Sequence, residues 1–242
     1  MNDPDVIVVG GGPAGSSTAW ALALAGVNVC LLDRARFPRD KPCSEYMSPE
    51  ASRVLAAMGA LGAVEGAGAA QLAGMKVRSP AGDVIHGDFV ADHGYRGYRD
   101  RGLALPRVVL DAILLERARA AGVRVEEEIR VTDVLRDSRG AIAGVRTLAR
   151  SGSAQERRAR VVVAADGLRS LIARRTGLAR SSRWMRRLAL VTHYRGVSGV
   201  GAYGEMHVER DGYAGIADVG GGLANVAVVV PLAHATRISR AR

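Results

Sequence analysis

Lysine is nearly missing from this 242-residue chain: only Lys41 and Lys76 occur, so arginine carries almost all the positive charge. Cysteine is also scarce. Cys30 and Cys43 cannot build a disulfide framework, and a reducing cytoplasm fits two such thiols best. Aromatic residues make up 4% of the chain and do not interleave with the arginines, and no nucleic-acid-binding motif is visible. Long apolar runs are absent too. Ala19 to Leu32 is apolar apart from Asn28, but it is too short to span a bilayer and carries a helix stop at Gly26. No transmembrane segment is expected, and peripheral contact with a membrane stays open. The chain enters its first strand almost at once, which leaves no room for a signal peptide. No segment is of low complexity and no internal repeat occurs, so global disorder is not expected. The five histidines, His86, His93, His193, His207 and His234, have neither metal-ligand spacing nor a cysteine partner, and read as structural or exposed.

The net charge is +10. Residues 136–187 hold fourteen arginines against three acids, a local charge of +11, so the remainder is close to neutral. Such a run suits an anionic partner or a solvated face, and the arginine-rich composition favours the solvated face. No nucleic-acid partner is expected.

The most informative stretch is DVIVVGGGPAGSSTAWALALAGVNVCLLD, Asp5 to Asp33. Val6 to Val9 is a short β-branched run without charge, suited to a central parallel strand buried on both faces. It leads into Gly10, Gly12 and Gly15, spaced G-x-G-x-x-G. The first glycine permits a tight turn, the second lets a pyrophosphate approach, and the third lets the helix pack on the strand. With Pro13 and Ala14, the helix start presents unpaired N–H groups and the positive dipole end to phosphates. Asp33 ends the second strand, where its carboxylate can accept a ribose 2′-OH and would repel a 2′-phosphate. The ligand implied is a dinucleotide with a free adenosine ribose. Ser16 and Ser17, just after the turn, are candidates to face phosphate; Trp20 and Cys30 read as core.

Further along, Ser48-Pro49-Glu50 resembles a helix N-cap with proline at the first position, which predicts a helix from Ser48 to about Met58. Residues 60–70 are ambiguous. Met75–Ser79 and Val84–Phe89 read as strands, and Pro106–Ala121 as a helix with apolar positions Val109, Leu110, Ile113 and Leu114. Val123–Glu126, Ile129–Leu135 and Ala141–Leu148 alternate as strands. Arg160–Ala165 reads as a continuous buried strand leading into Asp166-Gly167, followed by a short helix to Arg175. Strands are expected near Leu188–Arg195, Glu205–Val208 and Asn225–Val230.

Three separated segments together resemble the geranylgeranyl reductases and p-hydroxybenzoate hydroxylase-like flavoproteins. They are the N-terminal βαβ unit, FPRDKPCSEYMSPEA (Phe37 to Ala51) and VVVAADGLRSLIAR (Val161 to Arg174); LPRVVLD (Leu105 to Asp111) is similar to the family's arginine-bearing helix start. The resemblance implies an α/β fold: a Rossmann-like FAD-binding domain with a partial, mostly antiparallel β substrate domain. The expected domains are 1–180 for FAD, with interleaved substrate-domain strands near 72–104, and 181–242 for the partial substrate domain.

The resemblance also implies FAD as cofactor, NAD(P)H as transient reductant and a small hydrophobic or aromatic substrate. It places Arg34, Cys43, Ser44, Arg107, Asp166 and Gly167 with the glycine turn and Asp33 in the cofactor site, and makes Cys43 the candidate catalytic side chain. From the residues alone, a packing role for Cys43, a surface role for Arg107 and a plain turn at Asp166-Gly167 stay open. As a nucleophile Cys43 would need a depressed pKa, and Arg39 and Lys41 stand near it in sequence only. The chain departs from the family where Ser44 and Tyr46 replace small residues. Gly212 to Pro231 keeps Tyr213 but lacks the family's tryptophan, which disfavours halogenation. No G-D motif follows Pro231, so the chain reads as C-terminally truncated. The expected function is prenyl reduction or aromatic hydroxylation by an FAD-dependent oxidoreductase. The alternative is a nucleotide-binding fragment without turnover.

Overall fold

The computed structural model describes residues 3–90, 97–180 and 186–234, so His93 lies outside the described residues. The elements run β1 (Val6–Val9), α1 (Pro13–Leu24), β2 (Val29–Leu32), β3 (Tyr46–Met47), α2 (Ala51–Ala57), α3 (Leu61–Gly66), β4 (Ala70–Leu72), β5 (Gly74–Arg78) and β6 (Val84–Asp88). They continue as β7 (Gly102–Ala104), α4 (Arg107–Ala120), β8 (Arg124–Glu126), β9 (Ile129–Arg136), β10 (Ile142–Ala149), β11 (Ala154–Arg158) and β12 (Val161–Ala164). The last are α5 (Leu171–Arg175), β13 (Arg187–Arg195), β14 (Tyr203–Glu209), β15 (Gly212–Asp218) and β16 (Leu223–Pro231).

Two compact units result: Met1–Arg39 with Leu110–Arg180, and Asp40–Val109 with Ser181–Arg242. The segment grouped with the late strands is thus longer than the 72–104 expected. The reason is hydrogen bonding: β5 pairs in parallel with β14, and β3 and β4 both pair with β7.

In the first unit a parallel sheet has the order β12-β1-β2-β8. Alternation along β1 and β2 divides their side chains between two cores. Val6, Val8, Val29 and Leu31 pack with Ala19, Leu115, Ala118 and Val123, and Trp20 lies against this core as expected. Ile7, Val9, Cys30 and Leu32 pack with Val145, Ala159 and Ile172. A strand covered on both sides needs an unbroken apolar run, and VIVV and VCLL supply it. Cys30 is a core residue; burial pushes its thiol up from the ordinary range.

Some local expectations shift. β12 is an outer strand of its sheet with Val161 51% exposed, so it is not buried throughout. Ser48 and Pro49 do not cap α2; their carbonyls accept the N–H groups of Ala51 and Ser52 in a turn before it. The buried stripe of α4 is Leu110, Asp111, Leu114, Leu115 and Ala118, one residue round from the apolar positions. Asp111 can lie inside because Arg39 meets its Oδ2 at 2.8 Å. The basic run is largely an exposed surface, paired in places: Arg146 meets Glu156, Arg157 meets Glu126, Arg150 meets Glu128 and Arg175 meets Asp133.

The second unit holds a six-stranded sheet, β13-β16-β15-β14-β5-β6, antiparallel except at β14·β5, and a small sheet β3-β7-β4. β15 is a strand that the glycine-rich composition of residues 212–222 conceals. Among the described residues, no helix is long and apolar enough to cross a membrane.

Leu31 is fully buried between α1, α4 and β8. Leu31→Ala should therefore cost about 2–5 kcal/mol, read as a lowered denaturant midpoint with an unchanged slope.

Candidate functional site

The turn between β1 and α1 is built for close backbone approach. Gly10 has φ +105, and a Cβ there would overlap the Ala165 carbonyl oxygen. A Cβ at Gly15 would overlap the carbonyl oxygen of Gly10, so only glycine lets α1 come this near β1. Gly12 stands at the N-cap in extended backbone, with no side chain capping the helix, and Pro13 follows in the first turn. The first-turn N–H groups are thus left to an external acceptor, which is how a helix start binds anions.

Asp33 ends β2 and is 8% exposed. Its Oδ2 accepts the Gly11 N–H at 2.7 Å and its Oδ1 accepts the Ala35 N–H at 2.8 Å. It thereby ties the glycine turn to the end of the second strand; each oxygen keeps one lone pair for a further donor. Ser16 and Ser17 do not face outward to phosphate: their hydroxyls donate to the carbonyls of Gly11 and Pro13.

Asp166 accepts the Leu171 N–H at 2.6 Å through Oδ2, and Ser170 caps the same helix through the Ala173 N–H at 2.9 Å. Asp166 Oδ1 is buried with no hydrogen-bond partner among the described residues. An acceptor in that state fits a hydroxyl donor, not a phosphate oxygen. Gly167 has φ +82 with open space around it.

The Cys43 segment belongs to the second unit. Its centre is Glu45, buried and in left-handed backbone at φ +61. Glu45 Oε1 accepts the Arg107 N–H at 2.8 Å, where α4 begins. Glu45 Oε2 meets Asn225 Nδ2 at 2.9 Å and His193 Nε2 at 2.6 Å. Asn225 Nδ2 also donates to the Cys43 carbonyl at 2.8 Å, and the Glu45 N–H points at Cys43 Sγ at 3.4 Å. Arg39 Nη1 meets Asp111 Oδ2. Glu45, His193 and Asn225 escaped the sequence reading because they lie 148 and 180 residues apart. Only the adjacency of Glu45 to Cys43 signalled any of them.

The parallel sheet and glycine turn define a dinucleotide-binding α/β protein. The family model described as FAD binding domain matches residues 3–197, and the chain belongs to that family. It is 38% identical over 175 residues to digeranylgeranylglycerophospholipid reductase 1 of Methanopyrus kandleri, covering 72% of this chain and 42% of that one. It is 33% identical over 192 residues to menaquinone reductase of Mycobacterium tuberculosis, covering 79% of this chain and 43% of that one. The myxobacterial chondrochloren halogenase CndH, described as a variant of FAD-dependent halogenases, superposes with TM-score 0.85 at 26% identity, over 97% of this chain and 54% of that one. The chain therefore spans less than half the length of the two reductases.

Tyr46 lies beside this cluster, its hydroxyl directed at the Gly74 carbonyl, and burial pushes its phenol up to about 12. A raised pKa adds stability that is complete below the ordinary phenol value of about 10 and is lost as pH climbs towards the folded one. Unfolding midpoints should therefore fall between about pH 10 and 12. Tyr46→Phe should flatten that fall, with Tyr203→Phe as control because Asp88 raises the Tyr203 phenol as well.

Proposed function

We propose that this chain binds FAD and serves a flavin-dependent oxidoreductase acting on a hydrophobic substrate, with reduction of a prenyl double bond as the reaction. The observation that carries the reading is the glycine turn before an uncapped helix start, held in place by Asp33. In this reading Gly10, Gly12, Pro13, Ala14 and Gly15 receive the pyrophosphate, and Asp33, with Arg34 beside it, receives the adenosine ribose. Asp166 and Gly167 offer an acceptor and open backbone to a hydroxyl-bearing part of the cofactor. Arg107, Cys43 and Ser44 complete the set, Cys43 as the side chain that adjusts the reaction. FAD supplies the redox chemistry when bound, and NAD(P)H is the transient reductant. The two reductases named above support reduction over hydroxylation.

A second reading, FAD binding without turnover, draws on the share of the reductases' length that the match spans. One experiment separates them: FAD is titrated into the purified chain, and nicotinamide oxidation is followed with and without a prenyl acceptor. Tight FAD with sustained turnover supports the first reading and FAD without turnover the second; no flavin bound at all removes both.

Gly12→Val should abolish FAD retention, because its side chain would stand where the pyrophosphate approaches. Asp33→Ala, which loses the bonds to Gly11 and Ala35, should weaken it by about tenfold or more, about 1.4 kcal/mol. Equilibrium dialysis reads both. Cys43→Ala should shift the visible flavin spectrum or its reduction rate while leaving affinity nearly intact; an unchanged spectrum and rate would return Cys43 to packing.

A further inference from the structure

Two neighbouring serines near the start of α1 use their hydroxyls differently. Ser17 donates to the Pro13 carbonyl at 2.7 Å, four residues back, the ordinary bond of a serine inside a helix. Ser16 is fully buried, and the carbonyl four residues behind it, at Gly12, already accepts the Ser16 N–H at 2.9 Å. Its hydroxyl reaches past the helix instead and donates to the Gly11 carbonyl at 3.1 Å. Gly11 is itself buried, and no other donor meets that carbonyl among the described residues.

This bond sets the direction of the next backbone donor. In a trans peptide the C=O and the N–H point opposite ways. With the Gly11 carbonyl turned inward to Ser16, the Gly12 N–H points away from the buried serine, and it meets no acceptor among the described residues. The other donors of the turn are already engaged. The Gly10 N–H bonds the Leu32 carbonyl, the Gly11 N–H bonds Asp33, and Pro13 has no N–H. Gly12 is therefore the donor that the turn itself offers to an anion, beside the first-turn N–H groups of the helix.

Without the hydroxyl, the Gly11 carbonyl would be a buried acceptor with no donor, which is costly. Rotation of this one peptide, about ψ of Gly11 and φ of Gly12, would release it, and glycine on both sides permits that rotation. The carbonyl would then face the anion in place of the N–H, while the Gly11 N–H stayed on Asp33.

We propose that Ser16 is a positioning residue for the diphosphate of the dinucleotide: it holds the Gly11–Gly12 peptide with its N–H towards that group. The inference rests on the FAD-binding reading above, and every group in it lies in one unit, within Met1–Arg39.

The test compares ADP, which carries the diphosphate, with adenosine, which carries the ribose assigned to Asp33 and no phosphate, each titrated into the whole chain. Ser16→Ala should lose about tenfold in ADP affinity, the contribution of one hydrogen bond to a charged group, and keep its adenosine affinity. Ser17→Ala, whose lost bond lies inside the helix, should leave both unchanged. An equal loss for the two ligands makes Ser16 a purely structural residue and overturns the proposal, as does wild-type ADP affinity in Ser16→Ala. Hydrogen exchange on the wild-type chain is the second measurement and needs no variant to fold. The Gly12 amide should exchange freely in the free chain and become protected with ADP, while the Gly11 amide is protected throughout. A Gly12 amide indifferent to bound ADP overturns the proposal alone. A wild-type chain that binds neither ADP nor FAD overturns the FAD reading, and the role of Ser16 with it.

Discussion

A hydrogen bond from the Gly11 amide to the buried carboxylate of Asp33 at 2.7 Å, beside the Gly10 N–H bond to the Leu32 carbonyl, joins the loop after the first strand to the end of the second. The glycine turn cannot be read without it. Gly10 is in a conformation open only to glycine, and the first turn of the following helix has no side-chain cap, so the loop's local side-chain support is the Ser16 hydroxyl on the Gly11 carbonyl. Asp33 adds a restraint from a neighbouring strand, and it can do so because two double-sided apolar strands hold it at fixed height. The carboxylate is thus first a fastening for the loop and only then a candidate ribose acceptor.

The same logic recurs in the second unit. Glu45 is a buried acid in left-handed backbone, and three donors from three distant segments converge on it. Removing a buried carboxylate's partners is costly, so the acid fixes the Cys43 turn as firmly as Asp33 fixes the glycine turn. Each unit therefore places its chemistry-bearing loop with one buried acid. The arginine-rich run does something different: Arg146, Arg150 and Arg175 pair with acids at the surface, where each pair adds little stability, and nearly all its described arginines are exposed, so it is mainly a solvated face.

Much was legible where the chain's local chemistry was under one constraint only. VIVV before G-x-G-x-x-G could only be a strand covered on both faces, and the helix at Arg107–Ala120 announced itself by its period. Where two constraints competed, local reading slipped. Ser48-Pro49 has helix-cap chemistry, yet a turn takes both carbonyls before the helix begins. Val161–Ala164 has the composition of a central strand but pairs on one side only. β15 was hidden because its glycines carry no periodic signal, and its pairing with two neighbours makes it a strand.

The sequence by itself determined the nucleotide-binding unit, because a strand, a turn and a helix that follow one another need only short-range sterics and burial to define them. Its resemblance to the flavoprotein reductases was legible for the same reason, since three motifs stand in order along the chain. Tertiary structure alone decided which polar groups meet: that Arg39 pairs with Asp111, that Ser16 turns inward, and that His193 and Asn225 join Glu45. Such pairings depend on strand register and on which face each side chain occupies. A shift of one residue reverses every face, and nothing in the local sequence records which register the distant partner adopts.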